Sequence, residues 1–236
     1  MNILALEAST EVSSVALRYK EKDWLEYCEE PRSHSKVILP IIDKLLNSAG
    51  ASLSDLDFIA LTNGPGSFTG IRICVGIAQG LAYGAQLPVF TVSTLEAMAL
   101  QATAELPIKP GQVIVPLLDA RMGELYWAAF QNTADTGLIQ LTAPSVASVA
   151  VVQQEIEAIK QNILCIGHGC ALIDKSRLTD SSFFEGFKPR ASAVILKGLN
   201  AVTNGQLISA LQPGEVIEPL YLRNQVSWEK RKRLRT

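Results

Sequence analysis

Residues that usually carry chemistry are scarce in this sequence. The 236 residues include two histidines, His34 and His168, and four cysteines with no CxxC pair. Histidines so far apart in sequence exclude a multi-histidine metal site. The cysteine usage fits a reducing compartment better than a disulfide framework. Cys74, between Ile73 and Val75, reads as a small core residue. A phosphate-binding P-loop is missing too. The glycine-rich stretch GPGSFTGIR, Gly64 to Arg72, has no lysine, Thr69 stands where GxGxxG needs its third glycine, and Pro65 removes a backbone donor. Ser67 lies outside any GxSxG pattern, so no hydrolase nucleophile stands out. The opening MNILALEAST has no basic leader and is broken by Glu7, so a signal peptide is not expected. Ile73 to Leu95 carries no charge, but glutamines, glycines and Pro88 punctuate it. It reads as a helix and a buried strand, and the expectation is a soluble cytoplasmic protein with no membrane contact. The formal net charge of -2 gives no overall bias toward nucleic acid. Only EKRKRLRT, Glu229 to Thr236, is strongly basic. It reads as a solvated end, with phosphate contact the sharper alternative.

What is present is apolar patterning: 48% of residues are hydrophobic, enough for a sizeable core. Ile3 to Leu6, Ser14 to Tyr19 and Trp24 to Cys28 read as three antiparallel strands joined by short turns. A helix with Ser33 or Ser35 as N-cap runs to Ala49, with Gly50 past its end. Then come a strand at Phe58 to Leu61, a helix from Ser67 to Gly84, a strand at Pro88 to Val92 and a helix from Leu95 to Glu105. After a linker-like ELPIKPGQ, Glu105 to Gln112, the pattern restarts. NILALEASTEVSSVALRY and QVIVPLLDARMGELYWAAF each run strand, acid–alanine, turn, strand. This predicts a duplicated α/β fold with a boundary at 106/107, giving units 1–106 and 107–236, each with a mixed sheet and helical crossovers. The second half should contain a strand at Leu138 to Leu141, a helix at Val149 to Lys160, a strand at Asn162 to Ile166 before the GHG of Gly167 to Gly169, a helix at Ala191 to Thr203 and an extended Pro219 to Arg223.

Two features invite a functional reading. Glu7 and Asp119 end equivalent strands, where an acid can orient a metal-bound water; the plainer reading of each is an acid at a solvated turn. On the second helix, Arg72, Gly76, Gly80 and Gly84 recur every four residues and share one face. Each glycine inside a helix costs roughly 1 kcal/mol relative to alanine. The offsetting gain is close approach by another helix, either the wide apolar helix ending at Ala49 or a partner chain.

The blocks ILALEASTEVSSVALR, SHSKVILPIID, TNGPGSFTGIRICVGIAQGLA, LPVFTVSTLEAMA, LLDARMGELYWAAF and the closing YLR of Tyr221 to Arg223 resemble, in order, the bacterial TsaB (YeaZ) family. The resemblance implies two actin-like, RNase H-like (ASKHA) subdomains. It implies a non-catalytic scaffold in tRNA threonylcarbamoyladenosine synthesis, binding TsaD, which transfers threonylcarbamoyl to the adenosine beside the anticodon. The ATPase TsaE would join the complex, tRNA would contact it, and the chain alone would form homodimers. It further implies that ATP and metal belong to TsaD and TsaE, with no cofactor held tightly by this chain. TsaD carries its metal on a VNHMEGH-type segment; here VSTLEAM, Val92 to Met98, puts Thr94 and Met98 at the two histidine positions, and PRASAVILKGLNAV offers no counterpart to TsaD's aspartate ligand. The implied contact surface comprises Ser35, Ile38, Leu39, Ile42, Leu45 and Leu46 on one helix and Phe68, Arg72, Val75, Gly76, Gln79, Gly80 and Tyr83 on the next. Glu7, Ser9, Asp119, Gly167 and Gly169 would mark vestigial nucleotide loops, and Ala120, Arg121 and Met122 are too bulky for close approach to a phosphate. The competing reading is an independent ATPase or sugar-kinase-like enzyme of the same fold.

Overall fold

The structure, a computed structural model, describes residues 1–29, 34–133, 137–203 and 209–223. Expectations for Ser33 and for the basic stretch from Glu229 lie outside the described residues.

The first sheet is built from β1 (Ile3–Glu7), β2 (Ser13–Tyr19), β3 (Lys22–Cys28), β4 (Phe58–Thr62) and β5 (Val89–Val92). Its order is β3-β2-β1-β4-β5; β2 and β3 run antiparallel to their neighbours, and β4 and β5 are parallel crossovers. Helices α1 (His34–Ala49), α2 (Phe68–Ala85) and α3 (Thr94–Glu105) belong to the same half of the sequence. The second half supplies β6 (Val113–Arg121), β7 (Glu124–Trp127), β8 (Phe130–Thr133), β9 (Gly137–Gln140), β10 (Ser145–Ser148), α4 (Val149–Ala158), β11 (Ile163–Ile166), β12 (Ser181–Phe184) and α5 (Ala191–Thr203). The main path of its sheet, β10-β7-β6-β11-β12, repeats the antiparallel and parallel relations of the first. A β8–β9 hairpin is added at the start of β6. The duplication read from the two strand openings is therefore present in strand order.

Strand alternation assigns the layers. Leu4 and Leu6 of β1 pack with Ile38, Ile42 and Leu45 of α1 and Cys74 and Ala78 of α2. Ile3 and Ala5, on the other face, meet Val194 and Ile195 of α5 and Ala97 of α3. On β6, Ile114 and Leu118 meet Leu95 and Met98 of α3, while Val113, Val115 and Leu117 meet Val152 and Ile156 of α4. The layers run α1/α2, first sheet, α3/α5, second sheet, α4. The strands divide near residue 106, but the helical cover does not follow that line. α3 shields the second sheet, and α5, from beyond residue 107, shields the first. β8, β10 and β12 have no counterpart in the sequence reading. Ser35 is the second residue of α1 and not its N-cap. Pro219 to Arg223, read as an extended piece, carries no strand assignment among the described residues and runs as a strap over the surface. No helix among the described residues is long and apolar enough to cross a membrane.

Glycines in the loop after β4 have a packing reason distinct from the one expected. Gly66 has φ +152°, and a Cβ there would lie closer than 3.0 Å to Ser9. A Cβ at Gly70 would overlap the carbonyl oxygen of Ala8. Ser67 donates its backbone N–H to the Ser9 carbonyl at 2.6 Å, and its hydroxyl accepts from the Gly70 N–H at 3.3 Å to cap α2. In contrast, nothing lies within 4 Å of a Cβ built at Gly76, Gly80 or Gly84. Gly70→Ala should therefore lower the unfolding free energy by about 2 kcal/mol or more through overpacking. Gly80→Ala should raise it by up to about 1 kcal/mol through helix propensity. Urea denaturation of the two variants checks this; equal effects would contradict it.

Candidate functional site

Two regions hold the predicted residues: a cleft between the halves and the outer face of α1 and α2.

The cleft lies where the β1–β2 turn, the starts of α1 and α2 and the end of β6 meet. It is lined by Ser9, Thr10, Glu11, His34, Ser67, Thr69, Asp119, Arg121 and His168, among others. The two histidines, treated as unrelated in the sequence, share this cleft. His34 opens α1 and its Nδ1 contacts the Ser13 hydroxyl; burial pushes its pKa down. His168 accepts the Asp119 backbone N–H on Nε2 at 3.2 Å, which needs the neutral ring, and burial lowers its pKa also. Distance along the chain hid this shared cleft, which depends on how the two halves fold together.

Glu7 is not an acid at a solvated turn. It is wholly buried, outside the cleft lining, beneath Ser9. Its Oε1 accepts from the Ser9 backbone N–H at 2.6 Å, from the Ser9 hydroxyl and from the Thr62 hydroxyl at 3.3 Å. Its Oε2 has no hydrogen-bond partner. Burial raises its pKa to about 7, against the opposing pull of these hydrogen bonds. Asp119 is partly exposed; it accepts the Arg121 backbone N–H at 2.7 Å and pairs with the Arg121 guanidinium at 3.3 Å.

The nucleotide-loop positions are filled by the protein itself. The Ser9 amide is spent on Glu7 and its carbonyl on Ser67. Arg121, Met122 and Gly123 all take left-handed φ, and two of them carry the Cβ that makes this conformation costly. A Cβ at Gly167 would sit 2.5 Å from the Leu117 carbonyl oxygen, and one at Gly169 would sit 2.7 Å from the Leu117 carbonyl carbon. These glycines seat the loop on β6, as Gly66 and Gly70 seat theirs on the β1–β2 turn. Thr94 and Met98 are fully buried in the α3 packing, without an ionisable donor between them. Among the described residues no three His, Cys, Asp or Glu side chains converge as a metal site.

Predicted surface residues divide between core and solvent. Ile38, Ile42, Leu45 and Val75 are buried in the core of the chain itself, none more than 9% exposed, and so offer little side-chain surface to a partner. The reason is helical geometry: these positions form the inward stripe that packs on β1, β2 and β4. Leu46 and Gln79 are half-buried. Ser35, Leu39, Phe68, Arg72, Gly76, Gly80 and Tyr83 are exposed, with Tyr83 at 66% and Phe68 at 57%. The outward face of α2 is thus aromatic at both ends and glycine in the middle, with Arg72 as its single charge.

A doubled mixed sheet with crossed helical cover is a duplicated actin-like, RNase H-like fold. The comparisons with known proteins agree. Residues 29–230 match the profile of the family described as TsaD: tRNA N6-adenosine threonylcarbamoyltransferase. Over the whole length, the chain is 39% identical to the tRNA threonylcarbamoyladenosine biosynthesis protein TsaB of Haemophilus influenzae, covering 98% of this chain and 97% of that one. It is 35% identical to the TsaB of Escherichia coli, covering 98% of each. A solved Pseudomonas aeruginosa structure, described as similar to peptidase YEAZ, superposes with a TM-score of 0.81 at 32% identity, covering 94% of this chain and 99% of that one. The chain belongs to the TsaB (YeaZ) family.

The buried acid gives this site a measurable signature. Glu7 ionises near 4.5 when exposed and near 7 when folded, so the folded state holds its proton more tightly. The resulting stabilisation is complete below pH 4.5 and is lost as pH rises through 7, amounting to about 3 kcal/mol. In Glu7→Gln this fall should be absent, so between pH 4.5 and 7.5 wild type should lose stability relative to the variant, whatever their difference at pH 4.5. Chemical denaturation across that range checks it, and parallel curves would contradict it.

Proposed function

We propose that this chain is the non-catalytic scaffold subunit of tRNA threonylcarbamoyladenosine synthesis. In this reading it binds and activates a TsaD-like transferase through the exposed face of α1 and α2, in the cytoplasm. A TsaE-like ATPase and tRNA join through the complex, and the same face forms a homodimer when the partner is missing. ATP and metal reside in the partners.

The carrying observation is the open glycine track. Gly76, Gly80 and Gly84 each cost α2 on the order of 1 kcal/mol, and nothing within the described chain approaches them. No described residue supplies a gain that offsets this cost, and a closely packed partner helix would supply it, as small residues do wherever helices approach at short distance. Leu39 (49% exposed), Phe68 and Tyr83 border the track as apolar anchors. The case against an independent ATPase rests on the cleft. The acid Glu7 is sealed away beneath it, the amides of Ser9, Ser67 and Gly70 are spent within the protein, and the positions matching transferase histidines are Thr94 and Met98.

Replacing Gly76 or Gly80 by leucine should weaken binding of the TsaD-like partner from the same organism by a hundredfold or more, on the order of 3 kcal/mol. The thermal midpoint should stay within a few degrees of wild type, because the added side chain enters open space. Calorimetric titration measures the first and a melting curve the second. Wild-type affinity in the leucine variants would overturn the interface.

A further inference from the structure

The closing YLR motif has no part in the reading above, yet the structure ties it to the α2 face. The strap is pinned before it reaches Tyr221. Ile217 is buried in the first core. Leu220 donates its backbone N–H to the Asn63 carbonyl at 2.7 Å, and the Asn63 side-chain amide donates to the Glu218 carbonyl at 3.3 Å. Gly64 leaves room for this, since a Cβ there would lie 3.0 Å from the Leu220 carbonyl oxygen. Beyond Tyr221, Arg223 donates to the Ala120 carbonyl at 3.0 Å and pairs with Glu124, fixing the strap to the β6–β7 turn of the other half.

Tyr221 is thereby held against the first turns of α2. Its hydroxyl accepts from Arg72 Nε at 2.9 Å. The guanidinium of Arg72 lies 3.7 Å from the centre of the Phe68 ring, and the Phe68 and Tyr221 rings are 6.0 Å apart. Arg72 is therefore stacked on one ring and bonded to the other, with its rotamer set before any partner arrives. Its two terminal nitrogens remain pointed at no carboxylate among the described residues. A guanidinium with Nε occupied and its terminal nitrogens open is prepared for a carboxylate.

We propose that Tyr221 is a positioning residue for Arg72, and that the stack receives a carboxylate carried by the docking helix of the TsaD-like partner. The proposal rests on the scaffold reading. Charge selects the occupant. Arg72 is the only charge on α2, so the same α2 face of a second copy has no carboxylate to offer it, whereas a non-identical helix can bring an acid. Aligning Arg72 beforehand removes part of the ordering cost of binding.

The test is a double-mutant cycle on the full chain, read as affinity for the purified TsaD-like partner at several salt concentrations, with melting curves for each variant. Arg72→Ala should weaken binding about thirtyfold or more, and Arg72→Gln should flatten the salt dependence. Tyr221→Ala should cost about tenfold and Tyr221→Phe about threefold. In the Arg72→Ala background, Tyr221→Ala should cost less than about twofold. Full affinity in the Tyr221 variants, or the same tenfold loss with and without Arg72, would overturn the positioning role. An unchanged salt dependence in Arg72→Gln would overturn the carboxylate. Gly80→Leu, run alongside, separates the two levels. If it abolishes binding while the Tyr221 variants bind normally, this inference alone fails. If it also binds normally, the interface itself is wrong and this inference falls with it.

Discussion

The contact of the Gly66–Gly70 loop with the Ala8–Ser9 turn is backbone against backbone. Only a missing Cβ lets the two segments meet, and the Ser67 N–H to Ser9 carbonyl hydrogen bond closes the junction at 2.6 Å. Three things follow. The start of α2 is fixed against the end of β1, so the inner stripe of the helix, including Cys74 and Ala78, falls on the core. The amides of Ser9, Ser67 and Gly70 are spent within the protein and not left for a phosphate. And the opposite side of α2, with Arg72, Gly76 and Gly80, faces outward. The same device recurs in the second half, where Gly167 and Gly169 sit on β6 at Leu117. Duplication preserved the packing of loop on strand, while the acids at the two strand ends diverged, one sealed beneath Ser9 and the other paired with an arginine in the cleft.

The glycines around residues 64 to 84 thus answer to two different constraints. Gly66 and Gly70 are required by the interior of the chain. Gly76, Gly80 and Gly84 are required by no described residue, and the proposed assembly gives them a reason. The proposed scaffold role calls for no catalytic centre. It needs a rigid helix face, and the crossed cover of α3 and α5 supplies rigidity by tying the two sheets into one stack.

Much of this was legible in the sequence. Period and punctuation located β1, β2, β4, α1, α2 and α5 to within a residue or two, because each is a run of strong apolar periodicity bounded by caps or turns. The restart at Gln112 revealed the duplication. What was not legible depends on tertiary arrangement. β10 and β12 are short and amphipathic at best, and become strands only through the sheet edges they meet. Ile38, Ile42 and Leu45 look the same in sequence whether they pack on their own sheet or on another chain. Glu7 reads as polar and gives no sign of its burial, which comes from Thr62 and Ser9 closing over it. The joint cleft of His34 and His168 and the reach of Tyr221 to Arg72 are long-range contacts that no local pattern encodes.

The most direct test is reconstitution of threonylcarbamoyl transfer to tRNA from purified components: this chain, its TsaD-like partner and its TsaE-like ATPase, with each omitted in turn. A scaffold is inert alone, shows no ATP turnover of its own and is required in the mixture. Turnover of ATP or modification of tRNA by this chain alone would contradict it.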